Sequence, residues 1–301
     1  MKVIVTGGSG FLGVALCHAL KDAGHDVLNL DLKPNAEVHT EIVDVRVPAQ
    51  LAPHFAGVEA VFHLASSIEA GESVKRPGDY IQNNIVGTLN VLEVMRENGV
   101  KKLLFSSSAA VYGEPIRTPI KEDDRTIPIN PYGMTKLAME GLVSSYVQSF
   151  EFTGVALRYF NLYGPGEQHQ PETHAIPRFI SQLMNDQEIT LWGDGKNRRD
   201  FVYVDDVVHA HLAALELPQK YHYLNLSGKN ATAVIDVVHM LEKITRKTAK
   251  IKQFSPRPGD PVELFADAAK AKEVLNWEAQ MSIEQGLQHT VEWFAAHPIT
   301  V

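Results

Sequence analysis

The sequence predicts an α/β fold, a doubly wound parallel sheet with a smaller C-terminal α/β substrate-binding domain. Three observations carry that expectation. Strand and helix signals alternate through the first half, the pattern of a parallel sheet covered on both faces. The first residues, MKVIVTGGSGFLG, run from a β-branched strand into a glycine-spaced turn and an apolar helix. From about Gly164 the texture changes to a Gly-Pro-Gly loop and shorter elements.

The first strand is expected over 2–6 and a helix over 11–23, with Gly7, Gly10 and Gly13 between and just inside them. With no side chains at Gly7 and Gly10, backbone amides can approach a pyrophosphate at the helix N-terminus, where unpaired N–H groups and the macrodipole favour an anion. Gly13 lets the helix sit close to the sheet. The next strand, 26–31, ends in Asp31, and a carboxylate about twenty residues past such glycines accepts the hydroxyls of an adenosine ribose. The unit therefore reads as a Rossmann-type site that favours NAD over NADP, with Lys33 near enough to leave some NADP tolerance open.

Further strands are expected at Ala60 to Leu64, Lys102 to Ser106 and Val155 to Tyr159, with helices at about 79–98, closed by Asn98-Gly99, and at 131–150. Beyond Gly164-Pro165-Gly166 and the polar loop to Pro171, Ile176 to Met184 reads as a short helix. Gly193-Asp194-Gly195 reads as a hairpin tip before a strand from Arg199 to Val204. Helices follow at 205–217, about 233–245, 267–275 and 282–296, and the strand Tyr223 to Leu226 returns to the first sheet. The expected division is an NAD-binding domain over 1–163, with about 205–226 returning to it, and a substrate-binding domain over 164–301.

At 301 residues, 45% hydrophobic and 21% charged, the chain has the composition of an ordinary globular protein, and its formal charge of −8 argues against a nucleic-acid-binding surface. The lone cysteine, Cys17, has no internal partner and sits among Ala15, Leu16 and Ala19 as a small buried hydrophobe. The opening strand has neither the charged region nor the apolar stretch of a secretion signal, and no apolar run approaches the roughly 18 residues of a membrane span, so a cytoplasmic protein is expected. The 13 histidines are scattered, and His209 and His211, two apart on a helix, face different ways; no metal is expected.

Chemistry concentrates in Tyr132-Gly-Met-Thr-Lys136. Asn130 can cap a helix and Pro131 suits its first turn, so Tyr132 and Lys136 share one helical face. A tyrosine is a poor base at neutral pH, and a neighbouring ammonium from Lys136 would favour its phenolate. Before it, the strand Leu103-Leu104-Phe105 ends in Ser106-Ser107-Ser108, which delivers hydroxyls to the carboxyl edge of the sheet, where open α/β folds bind ligands.

The ordered set Gly7-x-x-Gly10-x-x-Gly13, His63-Leu64-Ala65, Asn84-Ile-Val-Gly87-Thr88, Ser108 before Val111-Tyr112-Gly113, Tyr132-x-x-x-Lys136 and Arg158-Tyr159-Phe160-Asn161 resembles the extended short-chain dehydrogenase/reductases. Arg199-Asp-Phe-Val-Tyr-Val-Asp205-Asp206 and Arg257-Pro-Gly-Asp260 resemble nucleotide-sugar segments of the NAD-dependent epimerase/dehydratase family, so the likeness spans essentially the whole chain. Within that family, Gly71-Glu-Ser-Val-Lys-Arg-Pro77, Asn83-Asn84 and Ala266-Asp-Ala268 are similar to segments of UDP-glucose (UDP-galactose) 4-epimerases.

The resemblance implies Ser108, Tyr132 and Lys136 as catalytic residues. It implies NAD contacts from Gly7, Gly10, Phe11, Leu12, Gly13, Asp31, Leu64, Ala65, Asn84, Ser106, Tyr132, Lys136 and Tyr159, with Asp44 and Val45 near the adenine. Asn161, Arg199, Arg257 and Asp260 would hold the nucleotide diphosphate, a task for which arginine forks suit. Leu264 falls where these enzymes vary a gate residue beside the sugar. Dehydrating relatives carry acids in the two positions after the catalytic hydroxyl, whereas this chain has Ala109 and Ala110, so elimination has no driver there and reversible oxidation is left. The implied activity is C4 epimerisation of a UDP-hexose; a UDP-N-acetylhexosamine, UDP-uronate, dTDP- or GDP-sugar, or a non-catalytic NAD-binding regulator, stand as alternatives. A homodimer through 79–98 and 131–150 is also implied, with Ile81, Ile85, Leu89, Leu92, Leu142, Val143 and Tyr146 as apolar candidates.

Overall fold

The computed structural model describes residues 1–168, 174–255 and 262–297. Among these, seven strands form one all-parallel sheet in the order β10-β6-β5-β4-β1-β2-β3: β1 (Lys2–Thr6), β2 (Asp26–Asp31), β3 (Thr40–Ile42), β4 (Ala60–His63), β5 (Lys102–Ser108), β6 (Thr153–Tyr159) and β10 (Tyr221–Leu226). The strand order reverses direction beside β1, which places a crevice at the carboxyl ends of β1 and β4.

Why these segments are strands is visible in their burial. Every residue of β6 is buried, as expected of a strand covered on both faces. Along β1, Val3 and Val5 enter one core while Ile4 enters the other. The second core is closed by α2 (Pro48–Leu51), α5 (Gly87–Glu97) and α6 (Pro131–Phe150). The first is closed by α1 (Phe11–Asp22) and α8 (Val204–Ala214), and it runs on into the second half through α7 (Ala175–Met184), α9 (Val234–Thr245), α10 (Ala269–Leu275) and α11 (Ile283–Ala296). A capping box between Ser282 and Gln285 starts α11. Two short helices, α3 (Ala70–Lys75) and α4 (Pro77–Tyr80), lead into α5.

Three expectations need correction. The segment expected as one helix over 79–98 is α4, a π-helical stretch Ile81–Val86, and α5. The wider turn coincides with Asn84, a buried amide hydrogen-bonded to Ser67 and Thr135, a polar demand that apolar periodicity does not reveal. The turn at Gly193 and Gly195 is real, with φ of 75° and 74°, but it is not a hairpin. It separates β8 (Glu188–Trp192), which pairs in parallel with β12 (Lys250–Phe254), from β9 (Arg198–Tyr203), which joins β7 (Asn161–Tyr163), β11 (Ala231–Ala233) and β13 (Glu263–Leu264). Finally, Leu92, Val143 and Tyr146 are buried in the chain's own core, leaving Ile81 and Leu89 as the exposed members of the apolar set named for association. Other bounds shift by a few residues; the helix expected to reach 217 ends at Ala214, and the strand expected to start at Val155 starts at Thr153.

One buried polar braid ties α6 to the sheet. Glu140 accepts from Arg158 Nε at 2.8 Å and Nη2 at 2.7 Å, and from the Ser107 hydroxyl at 2.5 Å. Arg158 Nη1 also donates to the Tyr112 hydroxyl at 2.7 Å, which in turn donates to Asn225 Oδ1 at 2.6 Å on β10. Both Arg158 and Glu140 are buried, so neither charge has water to fall back on. Glu140→Ala is therefore expected to lower unfolding free energy by about 3–5 kcal/mol in a denaturant titration, because it strands Arg158 without its partner. Ile116→Ala, at a side chain 85% exposed, should change it by less than about 0.5 kcal/mol.

Candidate active site

The turn from β1 to α1 is shaped by contact. Gly7 has φ +76°, and a Cβ there would lie 2.6 Å from the Ala65 amide nitrogen; a Cβ at Gly13 would lie 2.3 Å from the Gly7 carbonyl oxygen. Neither position accepts a side chain without moving backbone. Gly10 differs: a Cβ there would meet only the Gly7 oxygen, at 3.4 Å. Gly10 is also the N-cap of α1 and provides no side-chain bond to its amides, so the helix end that begins with Phe11, Leu12 and Gly13 presents donors to a space a methyl group would fill. This fits a pyrophosphate.

Asp31 closes β2 beside that turn, accepting from Ser9 N at 3.0 Å and Lys33 N at 3.1 Å on different carboxylate oxygens, with lone pairs remaining for diol hydroxyls. Asp44, just past β3, is gripped by Arg46, whose guanidinium holds its carboxyl below the usual range. Val45 is buried, and its carbonyl accepts from Asn90 Nδ2 at 3.0 Å. Leu64 N donates to Thr6 O at 2.9 Å, which sets Leu64 and Ala65 against the glycine turn.

α6 brings the reactive groups to the crevice. Asn130 Oδ1 accepts from Gly133 N at 2.9 Å and Pro131 opens the first turn, as the sequence leads one to expect. The Tyr132 amide is held by Ser73 Oγ at 3.1 Å. Ser108, at the end of β5, stands near enough to the Tyr132 phenol to favour its ionised form, and its Oγ accepts from Ala110 N at 3.1 Å. Lys136 is fully enclosed, its ammonium donating to Ser106 O at 2.7 Å, Ser66 Oγ at 2.9 Å and Ser106 Oγ at 3.0 Å, and lies 5.9 Å from the centre of the Tyr132 ring.

Burial works against ionisation of both members of this pair. It pushes the Tyr132 phenol up to about 12, with Ser108 opposing. Burial also pulls Lys136 down to about 7, with the Glu140 charge opposing. Lys136 is enclosed while Tyr132 is only partly covered, so the enclosure falls most heavily on the ammonium.

Two expected cofactor residues have their polar groups committed elsewhere. Asn84 Nδ2 donates to Ser67 O at 3.0 Å and Thr135 Oγ1 at 2.9 Å, so its amide pins the loop after β4 to α6. Tyr159 lies beside Ser108 in the sheet register, with its hydroxyl 2.8 Å from His211 Nε2. On the other wall, Asn161, Arg199 and Leu264 come together through the small sheet, where Asn161 pairs with Phe201 and Leu264 with Arg199. Asn161 Nδ2 donates to Asp200 O at 2.8 Å, and Leu264 packs on the cluster of Ala109, Val111, Tyr112 and Phe160. Arg257 and Asp260 lie outside the described residues.

Sequence reading missed the serines that position these groups, Ser66, Ser67 and Ser73, and it missed Glu140. The last was within reach: Glu140 follows Lys136 by four residues on the face that carries Tyr132. Among the described residues no group of histidine, cysteine and acidic side chains could hold a metal, and no helix is long and apolar enough to cross a membrane.

The family model described as "NAD dependent epimerase/dehydratase family" matches residues 3–226. A UDP-glucose 4-epimerase from Halalkalibacterium halodurans is 35% identical, over 99% of this chain and 97% of its own. The solved UDP-glucose 4-epimerase of Thermotoga maritima with UDP-glucose has a TM-score of 0.94 at 32% identity, covering 99% of both chains. The structure of MoeE5 in complex with UDP-glucuronic acid and NAD has a TM-score of 0.93 at 30% identity, covering 99% of this chain and 100% of that one.

The depressed Lys136 value has a stability consequence with a definite sign. Between pH 7 and 10.5 the unfolded chain holds the proton that the native chain has released, so native stability rises with pH; below about 7 both states are protonated and the cost of enclosing the charge is felt in full. Lys136→Met removes this dependence. Denaturation across that range should show the variant's advantage over wild type shrinking as pH rises, and a constant difference would mean that the ammonium keeps its ordinary value.

Proposed function

The chain belongs to the NAD-dependent epimerase/dehydratase family, and from that premise we propose that it interconverts UDP-glucose and UDP-galactose at C4 through a transient 4-keto sugar. The observation that carries the reading is the meeting of Ser108, Tyr132 and Lys136 at the sheet edge beside a glycine turn suited to a pyrophosphate. Residues 1–163, with 205–226 returning, hold NAD, and 164–301 hold the nucleotide.

In this reading the phenolate of Tyr132 takes the proton of the sugar 4-hydroxyl, with Ser108 bonding the same oxygen and relaying the proton. When bound, NAD+ supplies the acceptor for the C4 hydride, and its cationic ring adds the positive charge that a phenol near 12 needs before it ionises at neutral pH. Lys136 would hold the nicotinamide ribose, its bond to the half-exposed Ser66 being the one open to exchange. Glycines 7, 10 and 13, Phe11 and Leu12 would hold the pyrophosphate, and Asp31 the adenosine ribose.

Asn161 and Arg199, with Arg257 and Asp260, hold the diphosphate, which leaves the hexose free to turn and accept hydride on its other face. Ala109 and Ala110 support reversible oxidation over elimination, since methyl groups offer no general acid or base. Leu264 borders the sugar.

We further infer a cytoplasmic homodimer. The buried Cys17 thiol, pushed up to about 12 by burial, needs no oxidising compartment, and Ile81 and Leu89 leave an apolar strip on the outer side of the segment running into α5. Sedimentation should give a mass twice that of the chain, reduced to one by a double Ile81→Glu, Leu89→Glu exchange.

Purified protein given UDP-galactose without added reductant should form UDP-glucose. Tyr132→Phe should lower kcat by about 10²-fold or more while leaving NAD bound. An unchanged rate in that variant would remove Tyr132 from the chemistry.

A further inference from the structure

Asp200 is fully buried on β9, next to Arg199, and takes no part in the chemistry of Tyr132. Its carboxylate gathers segments far apart in sequence. Oδ1 accepts from Gly228 N at 2.6 Å, and Oδ2 accepts from the Ser227 hydroxyl at 2.5 Å and from Ala266 N at 3.1 Å. Its main-chain oxygen accepts from Asn161 Nδ2 at 2.8 Å. Burial pushes its pKa up to about 6, with the Ser227, Ala266 and Gly228 bonds opposing, so the carboxylate is the form that holds these donors at neutral pH.

The donors belong to the two halves of the crevice. Ser227 and Gly228 leave β10, the edge strand of the seven-stranded sheet, which pairs with β6 as β6 pairs with the strand that ends in Ser108. Gly228 cannot take a side chain in this corner, since a Cβ there would lie 2.1 Å from the Phe201 oxygen. Ala266 lies two residues past Leu264, which stands opposite Arg199 in the small sheet. Its segment is held on the other side by Ile120, whose N donates to Phe265 O at 2.9 Å and whose O accepts from Asp267 N at 2.8 Å. One carboxylate thus joins the wall that bears Asn161, Arg199 and Leu264 to the sheet that bears Ser108. Both of its oxygens are required, because main-chain N–H groups can only donate and the two amides bond to different oxygens. A wall that is seated only part of the time binds its ligand more weakly by that fraction. Resting on the UDP-hexose reading above, we propose that Asp200 is a positioning residue that seats the nucleotide-holding wall on the NAD-binding sheet and so sets the affinity for the UDP moiety.

The test compares wild type, Asp200→Asn and Ser227→Ala by calorimetry of UDP with the NAD-loaded protein, by the dissociation constant of NAD, and by kcat and KM for UDP-galactose. Asparagine has one acceptor oxygen, so its NH2 must face either Gly228 N or Ala266 N. Asp200→Asn should raise the UDP dissociation constant and KM about tenfold, and Ser227→Ala, which keeps both amide bonds, about threefold, while kcat and the NAD constant stay within about twofold. A role in stability alone would lower the active fraction, and with it the apparent kcat, while leaving KM and the UDP constant in place. That result overturns the proposal, as does a loss of NAD affinity equal to the loss of UDP affinity. If Asp200→Asn does not fold, Ser227→Ala decides alone, and an unchanged UDP constant in that variant overturns the proposal. Absence of epimerisation in wild type condemns the reaction while the UDP constants still judge Asp200, and a wild type without affinity for UDP overturns both.

Discussion

The geometry of the crevice depends on a charged side chain enclosed where water cannot reach it. Lys136 is held by three oxygen acceptors, two from Ser106 on β5 and one from Ser66 on the segment after β4, and Glu140, one turn further along α6, supplies a countercharge and is itself locked to Arg158. Enclosing an ion costs several kcal/mol unless its bonds are made well, so a displacement of α6 that loosened them would be resisted more steeply than one that only slid apolar surfaces. Tyr132 and Glu140 flank Lys136 at four-residue spacing, and fixing the middle of that face fixes its ends. The Ser107 bond to Glu140 carries the constraint into β5, and Ser108 is the next residue.

The cofactor side is held differently. There the backbone itself is packed so closely that side chains have no room, as at Gly7 against Ala65 and Gly13 against Gly7. A buried histidine completes the joint: His63 contacts Thr6 Oγ1 at 2.7 Å and Thr88 Oγ1 at 3.0 Å, linking β1, β4 and α5. Burial, helped by the charge of Lys136, pulls its pKa to about 3, so it stays neutral across the physiological range and serves as a hydrogen-bonding strut.

These two modes of construction explain what could be read in the sequence. The glycine turn, the Asn130 cap, the Tyr132 and Lys136 pair and the central strands are written in local spacing, and local spacing is what periodicity detects. The π-helical stretch was hidden because Asn84 answers to Ser67 and Thr135, partners distant in sequence. The short strands β3, β7, β11 and β13 owe their form to pairing partners, and the glycine turn before β9 looks like a hairpin until β12 is seen to take β8 away. Leu92, Val143 and Tyr146 were apolar for the chain's own core, a destination that an amphipathic pattern shares with an interface. Spacing brings Lys136 to Tyr132, but the enclosure that holds it 5.9 Å from that ring also pulls its own pKa down to about 7, an effect of burial that spacing does not reveal.

The strand end that delivers Ser108 is correspondingly plain. Ala109 and Ala110 follow it, so β5 ends in one hydroxyl and then two methyl groups. A ring that must let go of one face and present the other is poorly served by many directional bonds along its edge, since each would have to break before the turn. Alanine avoids that cost, because a methyl group forms no hydrogen bond.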